Sequence, residues 1–361
     1  MPAPKRSIGI AVVGSGRIGT SRARLAAQHA GVGFIAVADA DEGRAERLAA
    51  RIGADLWSGD TNEIVSHPDV DAVIVSTPEG AHLEPTLAAL RAGRRTLVEK
   101  PLALTLDDAH ALVAAANEHG VELRVGYSMR YARRYAVGKD LVARGHIGTI
   151  VGGLARTYDT RAVGLAILAR SPDATPVMDI LTYLVDIVCW YHDAHPVEVV
   201  ARSHGEVLRG LGHDVDDVVW ALLTFDDGSV FDLGTSYALP AGYPTAGLST
   251  RIELVGTEGV YLITEDHGDQ ILYTESGWEN PYAEQPLNLV FLGSRTTGDW
   301  ALDAMFGRLA DETRAWLDHL TAGGPCHITT AAEARLTLEV TLAIDEAART
   351  GRPVVLGEKE G

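Results

Sequence analysis

The stretch that decides the fold lies near the start of the chain and reads Ile8-Gly9-Ile10-Ala11-Val12-Val13-Gly14-Ser15-Gly16-Arg17-Ile18-Gly19. Its first half is an almost fully apolar run of the kind that forms a buried strand. Its second half has the spacing G-x-G-x-x-G, in which the first glycine makes a tight turn, the second lets a pyrophosphate approach the backbone, and the third lets helix and strand pack closely. The stretch therefore predicts a strand, a phosphate-binding loop and a helix whose N-terminus holds the anion.

An acidic residue follows the next apolar strand. Phe34 to Ala38 ends at Asp39, twenty residues after Gly19, where the acid that binds the adenosine ribose is expected. A carboxylate accepts hydrogen bonds from the ribose hydroxyls of NAD and repels the 2′-phosphate of NADP, so we predict NAD, with NADP disfavoured. Arg44 is interpreted as part of a solvated helix face. The residues expected to contact the cofactor here are Gly14, Gly16, Arg17, Ile18, Gly19 and Asp39.

Apolar strands without polar alternation continue through the first third of the chain. They are predicted at Ala72 to Ser76, Thr96 to Val98 and Leu123 to Val125, with helical patterns between them. This alternation is typical of a parallel sheet covered by helices on both faces. We therefore predict an α/β Rossmann domain, a doubly wound parallel sheet, over residues 1–125.

The pattern changes after about residue 145. Hairpins are predicted over Phe225 to Phe231 and Arg251 to Ile263, because short alternating strands flank turn residues there. An apolar helical run covers Val177 to Tyr191, and two more helices are predicted at Leu302 to Leu320 and Ala331 to Arg349. We predict that residues 126–361 form an α+β domain with a large open, mostly antiparallel sheet, used for substrate binding and oligomerisation.

Composition excludes several classes of partner. The chain has 361 residues, of which 46% are hydrophobic and 22% charged, as in a soluble protein of two domains. Its net charge of −18 argues against nucleic acid or an anionic membrane as partner. No apolar run approaches the ~18 residues of a membrane span. Cys189, Cys326 and the scattered histidines lack metal-ligand spacing, so we expect a cytoplasmic protein without a metal.

A lysine marks the reactive end of the predicted crevice. Lys100 lies in Glu99-Lys100-Pro101, directly after a short apolar strand, and the end of such a strand faces the ligand. The proline pins the backbone, and an X-Pro bond is the place where a cis peptide is tolerated. A lysine desolvated in a crevice can accept a proton near neutral pH. We therefore predict that Lys100 handles a proton beside the nicotinamide.

These residues give the chain a resemblance to the glucose-fructose oxidoreductase / inositol dehydrogenase / MocA (Gfo/Idh/MocA) family of nicotinamide-dependent oxidoreductases. The resemblance spans both predicted domains, and the Glu-Lys-Pro run is its most specific part. The matching runs are Ala11 to Gly19, Val75-Ser76-Thr77-Pro78 with His82, Val98-Glu99-Lys100-Pro101-Leu102-Ala103, Val125-Gly126-Tyr127 with Arg130, Gly145-His146-Ile147-Gly148, and Ala347 to Val354.

The resemblance implies further site residues and an assembly. Lys100 is implied to contact both the nicotinamide side and the substrate hydroxyl, and Glu99 to lie near the nicotinamide ribose. The remaining residues implied at the cofactor are Ser76, Thr77, Pro78 and His82. The residues implied at the substrate are Lys100, Tyr127, Arg130, Asp179 and Tyr183. The second-domain sheet is implied to form a homodimer or homotetramer.

One family pattern is altered in this chain. Many members carry Asp-Ile-Gly-x-His-x-x-Asp on a helix, and the run that matches here is Asp179-Ile180-Leu181-Thr182-Tyr183-Leu184-Val185-Asp186. Asp179 and Tyr183 are four residues apart and share one helix face. Tyrosine can replace histidine as acid or base when a cation such as Lys100 lies beside it. We predict Lys100, Tyr183 and Asp179 as catalytic residues; the alternative is that Tyr183 is a half-buried helix residue without chemistry.

Together these patterns predict an NAD(P)-dependent oxidoreductase that transfers a hydride between the nicotinamide and a secondary alcohol or ketone of a sugar, polyol or cyclitol. Two alternatives stay open. The first is a reductase of an imine or an activated double bond on the same scaffold. The second is a sensor that binds NAD without turnover, against which the intact Lys100 argues, because binding alone does not require that group.

Overall fold

The computed structural model describes residues 7–244, 248–265, 270–278, 285–292, 298–301 and 303–357. The chain divides into two compact units, residues 1–131 with 298–338 and residues 132–297 with 339–361. The prediction placed all of 126–361 in one second domain. The difference arises because the segment 298–338 carries buried side chains, among them Trp316 and Leu317, that pack in the core of the first unit. No helix in the described ranges is long and apolar enough to cross a membrane.

The first unit is built on a parallel sheet, with neighbours in the order β6-β5-β4-β1-β2-β3. The strands are β1 (Ile8–Val13), β2 (Val32–Ala38), β3 (Leu56–Ser58), β4 (Ala72–Val75), β5 (Arg95–Glu99) and β6 (Leu123–Gly126). Every residue of β1 and β4 is buried, which confirms the expectation of a sheet covered on both faces. The edge strand β3 escaped prediction because three residues are too few to show a pattern.

Five helices connect these strands. They are α1 (Arg17–Ala27), α2 (Glu42–Ile52), α3 (Thr61–Ser66), α4 (Leu83–Arg91) and α5 (Leu106–Glu118). Three of them begin at a side-chain cap: Asp41 for α2, Asp60 for α3 and Thr105 for α5 each accept a backbone N–H of the first turn. These caps satisfy N–H groups that have no partner within the helix.

The second unit contains a mostly antiparallel sheet in the order β12-β11-β7-β10-β9-β8. Its strands are β7 (Ile150–Thr160), β8 (Pro196–His204), β9 (Val218–Phe225), β10 (Val230–Leu239), β11 (Ser249–Gly256) and β12 (Val260–Thr264), followed by the separate hairpin of β13 (Gln270–Trp278) and β14 (Leu287–Leu292). Both predicted hairpins are confirmed as β9–β10 and β11–β12, while β7 and β10 pair in parallel.

The helices of this unit are α6 (Arg133–Ala143), α7 (Arg161–Leu168), α8 (Thr182–Tyr191) and α9 (Val207–Gly210). A π-helical turn, Val177–Leu181, leads directly into α8. The helix predicted over Val177 to Tyr191 is thus present, but its first turn is wider than an α-helix. Ile167, Ile180 and Tyr237 lie in one buried cluster on the inner side of the sheet.

The C-terminal segment contributes to both units. It consists of β15 (Asp299–Ala301), β16 (Ala304–Phe306), α10 (Arg308–Ala322), β17 (Thr329–Thr330), α11 (Ala331–Thr350) and β18 (Val354–Val355). β17 pairs with β6 in the first unit, and β18 pairs with β8 in the second. The helix predicted from Leu302 begins only at Arg308 because a short hairpin, β15–β16, precedes it. The division between the units falls inside α11, after Leu338.

Candidate active site

The phosphate loop between β1 and α1 has the shape that the glycine spacing predicts. Gly14 has φ of 100°, and a Cβ on it would lie 2.5 Å from the Ser76 carbonyl oxygen. A Cβ on Gly19 would lie 1.8 Å from the Gly14 carbonyl oxygen, so both positions exclude a side chain. A Cβ on Gly16 would meet no atom within 4 Å. The loop is therefore tightly packed on its inner side and open at Gly16, where a pyrophosphate is expected.

Polar groups without partners surround the same loop. Unlike α2, α3 and α5, helix α1 has no side-chain cap at Gly16 and no acid in its first turn. Within the described part of the chain, the buried hydroxyl oxygens of Ser15 and Ser76 have no hydrogen-bond partner. An anion at this helix N-terminus would satisfy the N–H groups of the first turn. The residues present fit the pyrophosphate of a dinucleotide.

Asp39 is oriented by the phosphate loop itself. The Ser15 N–H donates to Oδ2 of Asp39 at 2.6 Å, and the Asp41 N–H donates to Oδ1 at 2.9 Å. An ionised carboxylate has about four lone-pair sites, so it can still accept ribose hydroxyls. Arg44 lies on the exposed face of α2, with its Nε 3.4 Å from Asp41 Oδ2. This arrangement suits the ribose of NAD.

The loop after β4 is held by His82. Its Nδ1 lies 2.8 Å from the Pro101 carbonyl oxygen and its Nε2 lies 3.1 Å from the Thr77 carbonyl oxygen. Burial lowers the pKa of His82 and favours the neutral ring, whose single N–H donates to one of these two carbonyl oxygens. The ring therefore links the segment after β4 to the segment after β5, and its predicted contact with the cofactor stays a prediction. The Thr77 hydroxyl in turn donates to the Ala81 carbonyl at 2.9 Å, and Pro78 is exposed.

Lys100 lies at the carboxyl end of β5, and the peptide bond to Pro101 is cis. Its side chain is half-buried. The carboxyl ends of β1, β4 and β5 meet at one edge of the sheet, because these strands are parallel neighbours. That edge brings Lys100, the Ser76–Pro78 segment and the phosphate loop to one side of the first unit.

Two predicted site residues of the first unit are occupied by ion pairs. Glu99 accepts the Arg22 Nε–H at 2.5 Å, and its side chain is 16% exposed. Arg130 is buried, and its Nη1 donates to Glu333 at 3.1 Å, which lowers the pKa of Glu333. Tyr127 is also buried. Their roles at cofactor and substrate stay predictions.

In the second unit, Asp179 lies in the π-helical turn and meets residues that the sequence analysis missed. The Tyr237 hydroxyl, on β10, donates to Asp179 Oδ2 at 2.8 Å. Asp159, at the end of β7, is buried, and burial raises its pKa to about 8, with a further rise from the charge of Asp179. Neither Asp159 nor Tyr237 belongs to a recognisable motif. The parallel pairing of β7 with β10 brings them together, and no local pattern reports such a pairing.

Tyr183 lies on α8 and is half-buried, one turn after Asp179. The Leu181 side chain, which stands where the family pattern has glycine, is fully buried, and so is Asp186, which matches the pattern. π-Helical turns occur frequently at functional sites because they alter the direction in which side chains leave a helix. The unit thus gathers Asp159, Asp179 and Tyr237, with Tyr183 on the adjoining turn. Among the described residues, no group of three or more His, Cys, Asp or Glu is arranged to hold a metal ion.

Comparison with known families identifies the family of the chain. Residues 8–127 match the Gfo/Idh/MocA oxidoreductase family, NAD-binding Rossmann fold, and residues 135–262 match the GFO/IDH/MocA C-terminal domain. The chain belongs to the Gfo/Idh/MocA family. It is therefore an oxidoreductase, and its first domain is an NAD-binding Rossmann fold.

Several members of the Gfo/Idh/MocA family are similar over nearly their whole length. A scyllo-inositol 2-dehydrogenase (NAD(+)) of Bacillus subtilis is 28% identical over 97% of this chain and 96% of its own. An inositol 2-dehydrogenase of Acidothermus cellulolyticus is 30% identical over 87% of this chain and 89% of its own. A scyllo-inositol dehydrogenase from Lactobacillus casei, solved with NAD(H) and scyllo-inositol, has the same fold, with a TM-score of 0.78, 21% identity, and coverage of 97% and 99%.

Proposed function

We propose that this chain is an NAD-dependent dehydrogenase that interconverts a secondary alcohol and a ketone on a polyol, sugar or cyclitol. The observation that carries the proposal is the position of Lys100. It lies at the same sheet edge as the phosphate loop, with one strand between β5 and β1. Adjacent strands lie about 4.8 Å apart, so the two features are separated by roughly 10 Å along that edge. A dinucleotide bound at Gly16 spans such a distance.

Lys100, Tyr183 and Asp179 have different roles in the proposed hydride transfer. NAD, when bound, supplies the hydride acceptor at C4 of the nicotinamide. The Lys100 amine holds the substrate hydroxyl oxygen and takes up its proton as the general base. Tyr183 is proposed as the second proton-handling group, and Asp179 accepts hydrogen bonds from neighbouring hydroxyls.

A hydroxyl-rich substrate is supported by the second unit. Asp159, Asp179 and Tyr237 are oxygen donors and acceptors gathered on one π turn and two adjacent strands. Sites built from such groups bind partners with several hydroxyls and reject analogues that leave them unpaired. The two inositol dehydrogenases that resemble the chain act on compounds of this class, as their names state.

The outer face of the second-unit sheet supports a homo-oligomer. Leu222 and Leu262 lie in one row across the sheet and are 46% and 60% exposed. Val255 and Val260 extend the same face and are also exposed. Val255, Val260 and Leu262 form an exposed apolar patch at the β11–β12 end of the row, and exposed apolar patches mark protein interfaces. We propose that a second copy of the chain covers it.

The test of the catalytic assignment is Lys100→Met. We expect the variant to keep NAD binding and to lose two or more decades of turnover, roughly the effect of removing a general base. Turnover is followed as NADH absorbance with a panel of inositols and hexoses, and NAD affinity by calorimetry. Arg91→Met, which removes an exposed cation of the same unit, serves as the control and should behave as wild type.

The same assay separates the alternatives. Near-normal turnover in Lys100→Met would remove Lys100 from the mechanism. Activity confined to imines or conjugated double bonds would identify a reductase on the same scaffold. Tight NAD binding with no oxidation of any substrate would identify a sensor.

A further inference from the structure

A fully buried arginine joins three distant segments of the first unit. Arg22, on α1, is 0% exposed, and its guanidinium contacts Glu99 Oε1 at 2.5 Å, Glu312 Oε2 at 2.6 Å and Thr313 Oγ1 at 2.8 Å. Glu312 is fully buried on α10. We call Arg22, Glu99 and Glu312 the buried ion cluster.

The cluster connects the cofactor loop to the reactive lysine. Arg22 is in the helix that follows the phosphate loop, and Glu99 directly precedes Lys100 in the chain. The planar guanidinium presents its N–H groups in a fixed fork, so its partners are fixed in both distance and direction. Arg22 and Glu99 fit beside Gly126 because glycine has no side chain there. A Cβ at this position would lie 2.8 Å from Arg22 Nη2 and 3.0 Å from Glu99 Oε2.

Stability is a weak explanation for this cluster. Removing charges from water costs several kcal/mol for each ion, and a buried ion pair often stabilises no better than apolar residues of equal volume. Glu312 adds to that cost, because its Oε1 is buried without a hydrogen-bond partner among the described residues. Orientation of the strand end is a role that apolar residues could not supply.

We propose that Arg22 and Glu312 are positioning residues, which hold the Glu99–Lys100 strand end in the orientation that hydroxyl oxidation requires. The proposal rests on the role of Lys100 given under Proposed function. Neither residue touches the reacting atoms; both act through Glu99. Helix α10, which lies in sequence between the two segments of the second unit, thereby becomes part of the catalytic support of the first.

The charge of the cluster changes near neutral pH. Burial raises the pKa of Glu312 to about 7, against the lowering by Arg22; Glu99 raises it further, and Arg308 lowers it. The other titratable groups that interact with Glu312 are Tyr131 and Cys326. As the pH rises through 7, Glu312 becomes ionised and holds Arg22 by charge as well as by geometry. We therefore expect the pH profile of kcat to contain a titration step with an apparent pKa near 7.

The test is Glu312→Gln, in which the amide keeps an acceptor for Arg22 but carries no charge. We expect kcat to fall roughly tenfold, since small misplacements of catalytic groups cost up to about a hundredfold. The titration step near pH 7 should disappear, and the Kd for NAD should stay within about twofold. The control is Asp318→Asn, which makes the same charge change on the same helix at a side chain that is 64% exposed.

A second variant covers the case in which Glu312→Gln does not fold. Gly126→Ala keeps every charge but pushes Arg22 away from Glu99, so it should lower kcat without removing the titration step near pH 7. A wild-type kcat and pH profile in both variants would overturn the proposal, as would lost stability with unchanged kcat. Failure of the proposed function has a different signature, namely near-normal turnover in Lys100→Met.

Discussion

Asp159 is a buried residue whose proton affinity depends on its surroundings. Its side chain is 5% exposed at the end of β7, and burial raises its pKa from 3.8 to about 8. The Thr160 N–H, which donates to Oδ1 at 2.8 Å, opposes this rise, and the charge of Asp179 adds to it. Near neutral pH the carboxyl is therefore protonated and carries an O–H donor.

This carboxyl makes stability depend on pH. Because its pKa in the folded chain lies above the ordinary value, the folded state binds the proton more tightly, and wild type loses stability as the pH rises from about 4 to about 8. Asp159→Asn keeps an acceptor for Thr160 without a charge. We expect it to gain stability relative to wild type by a few kcal/mol between pH 6 and pH 9, on the order that linkage allows.

Urea unfolding at the two pH values measures this difference. Asp173→Asn, at an exposed position of the same unit, is the matched control and should show no such change. A difference between wild type and Asp159→Asn that is equal at pH 6 and pH 9 contradicts the assignment of a raised pKa to Asp159.

Among the elements, α10 has the most unexpected role. Trp316 is 0% exposed and lies in the same buried cluster as Ile10 and Leu97, although it follows them by more than two hundred residues. Leu309 and Ala310, at the start of α10, pack with Leu25 of α1. The helix is thus a covering layer of the Rossmann sheet contributed by the C-terminal segment.

Shortening a buried side chain of this helix should therefore destabilise the first unit. Trp316→Ala is expected to cost about 3–5 kcal/mol, the usual range for removing a large buried aromatic side chain. NAD should protect the variant less than wild type against proteolysis within residues 7–126. Trp57→Ala, at a tryptophan that is 39% exposed on β3, is the control. Equal stability of the two variants would show that α10 does not belong to the core of this unit.

At the scale of the whole molecule, the exposed sheet face determines the expected assembly. Leu222 and Leu262 belong to the row that also contains Leu154, Asp232 and Glu253, as the strand register requires. Leu222 and Leu262 are not covered by any other described part of the chain, so both side chains stay exposed to solvent. A second copy that covers this face would remove them from water.

The double variant Leu222→Asp/Leu262→Lys should therefore convert the assembled protein to monomers while leaving each unit folded. Sedimentation velocity measures the mass, and far-UV circular dichroism checks the fold. Leu104→Asp, at an exposed leucine of the first unit, is the control and should leave the mass unchanged. A wild-type protein that sediments as a monomer would refute the interface.

The features of this protein that depend on local pattern could be predicted from the amino-acid sequence. The G-x-G-x-x-G spacing, the apolar strands and the strand-end Asp39 and Lys100 predicted the Rossmann sheet and its ligand edge, because parallel strands buried on both faces have an unmistakable composition. The resemblance at Glu99-Lys100-Pro101 predicted the family and the cofactor class.

Which distant segments meet was visible only in the folded chain. The sequence around Glu312 does not indicate that this residue pairs with Arg22. The sequence around Asp159 likewise does not indicate that this residue interacts with Asp179. The return of residues 298–338 to the first unit is likewise invisible to a local pattern. The periodicity of apolar residues indicates that one face of an element is buried, but not which element covers it. Contacts between segments that are distant in the chain depend instead on the packing of the whole core.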